Sequence, residues 1–355
     1  MAVPEIEHPE RAARSVVAMH PFELFTTCPP SAHLEPGDWR RRLQEAARRS
    51  EEAGCAGMLV VTDNAQPDPW LVSQLLIEAT ERLSPLVAVQ PAYLHPYSVA
   101  KMVSTLGALY GRRLHLNLVA GGFKNDLAAL NDITPHDERY ARLLEYATIV
   151  QGLLRRPQAL SFSGSYYKVA NLRLSPALPA ALLPGLFVSG SSAAGMDAAR
   201  ELQATAVEYP KPPAEYAAAP ADDGLRRGMR IGIIARATDE EAWRAAEARY
   251  PEDRKGQLAH QLATKVSDSA WHRQLSELAR EAAPQSRHPY WLVPFQNAKA
   301  VCPFLVGSHG RVAEEVARYA QAGYRSFILD VPVEGEELGH VRAVFERAAE
   351  RRLAA

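Results

Sequence analysis

The chain has 355 residues, is 47% hydrophobic and carries a formal net charge of −1. That is enough apolar material for a large core, either as one α/β barrel with insertions or as two ordinary domains. The charge balance argues against nucleic acid or an anionic membrane as partner, since both need a basic face. The three cysteines, Cys28, Cys55 and Cys302, lack the CxxC spacing of a disulfide framework or a structural zinc site.

Residues 1–14 are charged and Pro-containing and read as a loose tail without the apolar centre of a signal peptide. No apolar run reaches membrane-spanning length, so a cytoplasmic protein is expected. Residues 16–19 form a short apolar run ending at His20-Pro21 and read as the first strand. A Pro-rich loop and an amphipathic helix over 38–53 follow. Continuous apolarity over 57–61 (GMLVV) predicts a second strand buried on both faces, with Thr62-Asp63-Asn64 at its end and a helix from Asp68.

The alternation repeats with a strand over 86–89, a helix over 97–110 and a strand over 114–120. His115 and Asn117 interrupt this last strand, and a buried Asn is costly unless something bonds to it. Gly121-Gly122 break the strand, and TPHDERY leads into a long helix over 137–154 with Leu143, Leu144, Ala147 and Val150 as its apolar stripe. Thr134 as N-cap, Pro135 at the first helical position and Asp137 account locally for that start as a capping box. His136 and Tyr140 stay unexplained by it; four apart, they look out on one side and suit the wall of a ligand pocket.

SFSGSYYKVANLRLS alternates like a strand pair and, with PALPAALLPG, reads as an insertion near 157–184. Strands follow over 186–189, 205–208 and 230–235, with helices from Ser192 and after Asp239. A polar, partly helical excursion over 250–300 lacks a strand signal, and a strand over 327–329 closes the series between helices near 312–320 and 337–349. One domain over 15–355 with eight strand–helix units is expected, a (β/α)8 TIM barrel with two insertions; an open doubly wound sheet is the runner-up. Either way ligands gather at the C-terminal strand ends, where His20, Asp63, Gln90, Asn117, Ser189, Glu208, Arg236 and Asp330 fall.

GLFVSGSSAAG runs from an apolar strand through Gly190 into Ser191, Ser192 and a helix. Free N–H groups at a helix start together with serine hydroxyls suit a phosphate dianion, while Ser192 could equally just cap its helix. The P-loop lysine is missing, with Ser191 in its place, and no GxGxxG follows an early strand, so neither ATP hydrolysis nor a Rossmann site is expected. His20, Asp63, His95, His115 and Glu208 are ligand types without an HxH or HExxH spacing, and no metal site is expected.

Taken jointly and in order, LNLVAGG, HDERY, SGSSAAG, MRIGIIARATDEEAW and VGSHGRVAEEVARYAQAGYRSFIL resemble the bacterial luciferase-like flavin monooxygenases, nearest the FMNH2-dependent alkanesulfonate monooxygenases. The resemblance implies a two-component enzyme. A separate NAD(P)H:flavin reductase supplies reduced FMN, O2 is the co-substrate, and a C4a-(hydro)peroxyflavin oxygenates a small organic substrate in a homodimer or homotetramer. By matching positions it implies Asn117, His136 and Tyr140 as flavin contacts and the Ser191-Ser192 turn as phosphate seat; Asp63, Ser189 and Gly190 at the same strand ends are expected to join them, and Arg230 and His20 are the expected catalytic residues. The excursion over 250–300, with Lys255, Lys265, Arg273 and Arg287, would close over the site.

The chain departs from the sulfonate pattern. Gln66 stands in place of a cysteine, Gly232 in place of a histidine, and Val331 and Val333 in place of a tyrosine and a histidine. A desolvated sulfonate needs cationic or hydrogen-bonding partners, so a larger or less charged substrate is expected. The same resemblance leaves two alternatives, an F420-dependent oxidoreductase and a non-catalytic flavin-binding subunit.

Overall fold

The computed structural model describes residues 21–31, 35, 37–121, 124–156, 158–216, 223–266, 270–281, 287–331 and 335–353. The chain supplies strands β1 (Glu23–Thr27), β2 (Gly57–Val60), β3 (Ser84–Val89) and β4 (His115–Val119), then a hairpin of β5 (Leu160–Ser163) and β6 (Lys168–Leu172). After it come β7 (Gly185–Ser189), β8 (Thr205–Glu208), β9 (Arg226–Arg236), β10 (Tyr290–Trp291), β11 (Phe304–Ser308) and β12 (Tyr324–Leu329). Parallel pairing runs β1-β2-β3-β4-β7-β8-β9-β12, and β12 returns to β1 with Phe25 opposite Ile328. Eight strands thus close a (β/α)8 barrel with helices outside it, and β5 and β6 form a separate two-stranded sheet. No described helix is long and apolar enough to cross a membrane.

Three sequence expectations are corrected. The strand that opens the barrel among the described residues is Glu23–Thr27; residues 16–19 and His20 lie outside the described residues. ELFTT lacks the unbroken apolarity of a buried strand, yet its polar members are satisfied. Phe25 is fully buried, Thr26 Oγ1 lies 2.8 Å from Ser50 Oγ, and the Thr27 hydroxyl donates to the Leu329 carbonyl at 2.6 Å. A hydroxyl bonded in this way is buried at little cost.

Second, the 250–300 excursion and the stretch after it hold two more strands than expected, β10 and β11. β11 pairs parallel with the C-terminal half of β9, from Phe304 opposite Gly232 to Ser308 opposite Arg236. The N-terminal half of β9 pairs with β8 and β12. Its 11 residues let one strand serve both the barrel and this added layer, to which β10 adds antiparallel. Gly232 is needed here: a Cβ would lie 2.3 Å from the Phe304 ring.

Third, the capping box expected at Thr134 does not form. The helix His136–Arg155 has Pro135 as N-cap and no side-chain cap bond. The Thr134 hydroxyl instead donates to Asp132 Oδ1 at 2.6 Å, and Arg142 holds the other carboxylate oxygen at 2.6 Å.

Phe25, Leu59, Leu86, Phe187, Val207 and Ile328 fill the barrel interior. His115, at the start of β4, meets Phe25 and Phe187 edge-on at 5.7 and 5.8 Å. It is a core histidine at the end of the barrel away from the strand C-termini. Among the described residues no group of three or more His, Cys, Asp or Glu could hold a metal ion.

Candidate functional site

The C-terminal strand ends open onto a cavity of about 550 Å³, a size typical of sites for organic cofactors and substrates. β1 contributes Thr27 and Cys28, β2 leads to Asp63, and β4 contributes Asn117 and Val119. β7 runs into the turn Ser189-Gly190-Ser191-Ser192, β9 brings Arg230 and β12 ends at Asp330. The Ser189 hydroxyl donates to Asn117 Oδ1 at 2.8 Å, which answers the cost of a buried Asn and fixes its amide relative to the turn.

The first turn of His136–Arg155 borders the same cavity. The His136 and Tyr140 rings sit edge to face at 5.3 Å, and His136 Nδ1 lies 2.7 Å from Asp137 Oδ1. The Tyr140 hydroxyl reaches the Ser189 carbonyl at 3.5 Å. Gly190 makes this approach possible. Its φ is +152, and a Cβ there would lie 2.1 Å from the Tyr140 hydroxyl oxygen; only glycine fits both demands.

Of the two serines in the turn, Ser192 has the local role. Its Oγ accepts the Gly195 N–H at 3.2 Å and caps the helix Ala193–Glu201. Ser191 Oγ is different: it is buried and has no hydrogen-bond partner. Leaving such a hydroxyl unsatisfied costs roughly 1–3 kcal/mol, a cost a bound acceptor at the helix N-terminus would remove.

On the opposite wall Arg230 faces Asp330 at 3.9 Å, with its Nε buried and unpartnered. Burial pushes the Asp330 carboxyl up, and the Arg230 and Arg249 guanidiniums draw it back. Arg230 thus stands beside a buried carboxylate. Arg249 donates to the Val331 carbonyl at 2.7 Å. The helix Ala270–Glu281 reaches the cavity through Trp271, whose ring stacks on Tyr209 at 4.0 Å and 18°.

Asp63, Asn117, His136, Tyr140, Ser189, Gly190, Ser191, Ser192 and Arg230 thus line one cavity. His20 lies outside the described residues. Glu208 is instead bound to Arg227 and Tyr324, Arg236 pairs with Glu337, and Gln90 lines a second, smaller cavity beside the first.

Sequence reasoning missed Arg139, Tyr209, Arg249 and Trp271. Arg139 could have been found, since it lies three residues after His136 and shares its face; it is 4% exposed. Arg249 and Trp271 sit at ends of outer helices, where nothing local marks them. Arg139, Arg230, Arg249 and Lys299 line the cavity beside the carboxylates of Asp63 and Asp330, with Lys299 held by Asp253 at 3.0 Å.

The family model described as luciferase-like monooxygenase matches residues 21–326. The chain is 33% identical over 337 residues to 4-(gamma-L-glutamylamino)butanoyl-[BtrI acyl-carrier protein] monooxygenase BtrO of Niallia circulans, spanning 93% of this chain and 98% of that protein. DmoA from Hyphomicrobium sulfonivorans superposes with a TM-score of 0.70 at 16% identity, over 93% of this chain and 87% of that one. An F420-dependent secondary alcohol dehydrogenase, in complex with an F420-acetone adduct, superposes at 0.63 and 14% identity, over 92% and 99%. At such identities the two structural likenesses speak for the barrel alone.

Proposed function

The chain belongs to the luciferase-like monooxygenase family, and from that premise we propose that it is a two-component flavin monooxygenase using reduced FMN and O2. The observation that carries the flavin assignment is Ser191 Oγ, buried and without a hydrogen-bond partner among the described residues, at a helix N-terminus that lines the cavity. These features fit a phosphate. In this reading the Ser189–Ser192 turn holds the phosphate, and Asn117, His136 and Tyr140 contact the rest of the flavin.

When bound, reduced FMN supplies the electrons that activate O2 for transfer of one oxygen atom to a small organic substrate. The chain's own task is to hold, orient and exclude water. Asn117 is held in one orientation by Ser189. The Trp271–Tyr209 stack supports a covering role for the 250–300 excursion, its helices closing the cavity while a reaction proceeds. Arg230 and Asp330 present a fixed charge pair to the reacting region without needing to exchange a proton.

The reading includes a separate NAD(P)H:flavin reductase, a cytoplasmic setting and a homodimer or homotetramer. The alkanesulfonate enzymes are its proposed nearest branch by motif. The name of the Niallia circulans relative supports an acyl group presented on a carrier protein as the first substrate class to assay.

The direct test is titration of the protein with photoreduced FMN under anaerobic conditions, followed by admission of air. Binding at micromolar protein with subsequent O2 consumption is expected. Absence of FMNH2 binding sinks the proposal, and preferential binding of F420 would replace oxygen transfer by hydride transfer.

A further inference from the structure

Beside the main cavity lies an annex of about 330 Å³, and the two share Thr62, Asp63, Gln66 and Ala88 in their walls. Its lining differs in kind from that of the main cavity. Trp70, Val89, Tyr93 and Leu94 give it an aromatic and aliphatic wall, with Trp70 only 5% exposed. Asp63 and Asp68 are its only charged lining residues, and no Lys, Arg or His is among them. Among the described residues Arg139, Arg230, Arg249 and Lys299 line the main cavity, so basic side chains stand on one side of Asp63 and none lines the annex on the other.

The carboxylates are unequally committed. Asp68 Oδ1 accepts Trp70 N–H and Leu71 N–H at 2.9 and 3.1 Å and caps the following helix. Asp63 uses only Oδ1, which accepts the Ala65 N–H at 2.8 Å. Asp126 adds negative charge at the rim through its contact with Asn64 N–H. The Tyr93 phenol, which donates to Asn64 Oδ1 at 2.8 Å, is pushed up first by burial and then by the Asp126 and Asp63 carboxylates.

We propose that this annex is the pocket for the non-reacting end of the substrate, and that it selects a protonated primary amine. The aromatic wall suits the alkyl stem and the ammonium head by hydrophobic and cation–π contact, and the free oxygen of Asp63 accepts the ammonium hydrogens. A carboxylate or phosphate at that end is refused, because no cation waits for it and Asp63 and Asp68 repel it. The flavin and the substrate tail are thereby sorted by charge, the anion to the cavity that holds the basic side chains and the ammonium to the annex that holds only carboxylates among its described charged residues. This deepens the monooxygenase reading and rests on it for calling the ligand a substrate; the binding itself does not require flavin.

The experiment titrates flavin-free protein with n-hexylammonium, hexanoate and hexan-1-ol, following tryptophan emission. Hexylammonium is expected to bind about tenfold more tightly than hexanoate, as one charge-assisted hydrogen bond gained and one repulsion avoided require. Trp70→Phe should remove the emission change, which places the site in the annex and not beside Trp271. Asp63→Asn should cut the preference for hexylammonium over hexanol several-fold while hexanol still binds, showing that the fold is intact. In the wild-type protein, added salt should weaken hexylammonium and leave hexanol unchanged.

Equal binding of hexanoate, no binding of any probe, an emission change retained in Trp70→Phe, or a preference unaltered in Asp63→Asn each overturns the proposal. A parallel FMN titration separates the two readings. Failure of FMN to bind, with hexylammonium selected, removes the flavin and leaves the annex; the converse removes only the annex.

Discussion

Ser191 and Gly190 are neighbours under opposite constraints. The Ser191 hydroxyl has no partner among the described residues, so Ser191→Ala should leave the melting temperature unchanged or slightly higher while weakening FMN about tenfold, the worth of one charge-assisted hydrogen bond. Flavin fluorescence and a thermal melt check both halves, and wild-type FMN affinity in this variant would remove the turn from the flavin site. Gly190→Ala acts through structure instead. The added Cβ collides with the Tyr140 hydroxyl and forces a φ that L-residues rarely adopt, costing roughly 1–3 kcal/mol of stability along with FMN affinity. Urea unfolding beside an FMN titration measures the pair.

At the scale of elements, two stretches carry similar helix-start signals and behave differently. In TPHDERY the Thr134 hydroxyl is taken by Asp132, whereas in ATDEEAW Thr238 and Glu241 form a true capping box for the helix Asp239–Arg249. Thr238→Ala should therefore destabilise by about 1 kcal/mol, read as a lower urea midpoint. The helix Ala270–Glu281 depends on the stack of Trp271 on Tyr209 and on the Gln274 side-chain amide donating to the Tyr209 carbonyl at 3.3 Å. With the proposed function, Trp271→Ala should admit water and divert reducing equivalents to H2O2, lowering product formed per NAD(P)H several-fold. Unchanged coupling would deny this helix a covering role.

The whole barrel should be acid-sensitive through His115. Burial first, and the nearby Arg113 charge second, push this histidine down to about 4 from its ordinary 6.5. The unfolded chain then binds the extra proton between those values. Stability is complete above 6.5 and is lost as pH falls towards 4, by roughly 3 kcal/mol in full and about 2 kcal/mol by pH 5. His115→Phe, which matches the Phe25 and Phe187 rings around it, should remove most of the difference between urea midpoints at pH 7 and pH 5. His260, also pushed down to about 4 by burial, is half-buried and contributes less.

The strand–helix alternation could be read because parallel strands buried on both faces are unbroken apolar runs, as in GMLVV and GLFVS. Residues 121 to 140 and 189 to 192 could be read because each pairs a chain break with side chains that local structure does not use. ELFTT escaped, since its hydroxyls became acceptable only through Ser50 and the Leu329 carbonyl, far away in sequence. β11 escaped because its partner is the outer half of β9. Composition and periodicity alone determined that this chain would alternate strand with helix, since burial of apolar side chains is decided residue by residue, while the return of β12 to β1 closed the barrel. Only the tertiary structure decided that Arg249, Tyr209 and Trp271 meet at its mouth and that basic side chains line one side of Asp63, because those depend on distances between residues that the chain order does not contain.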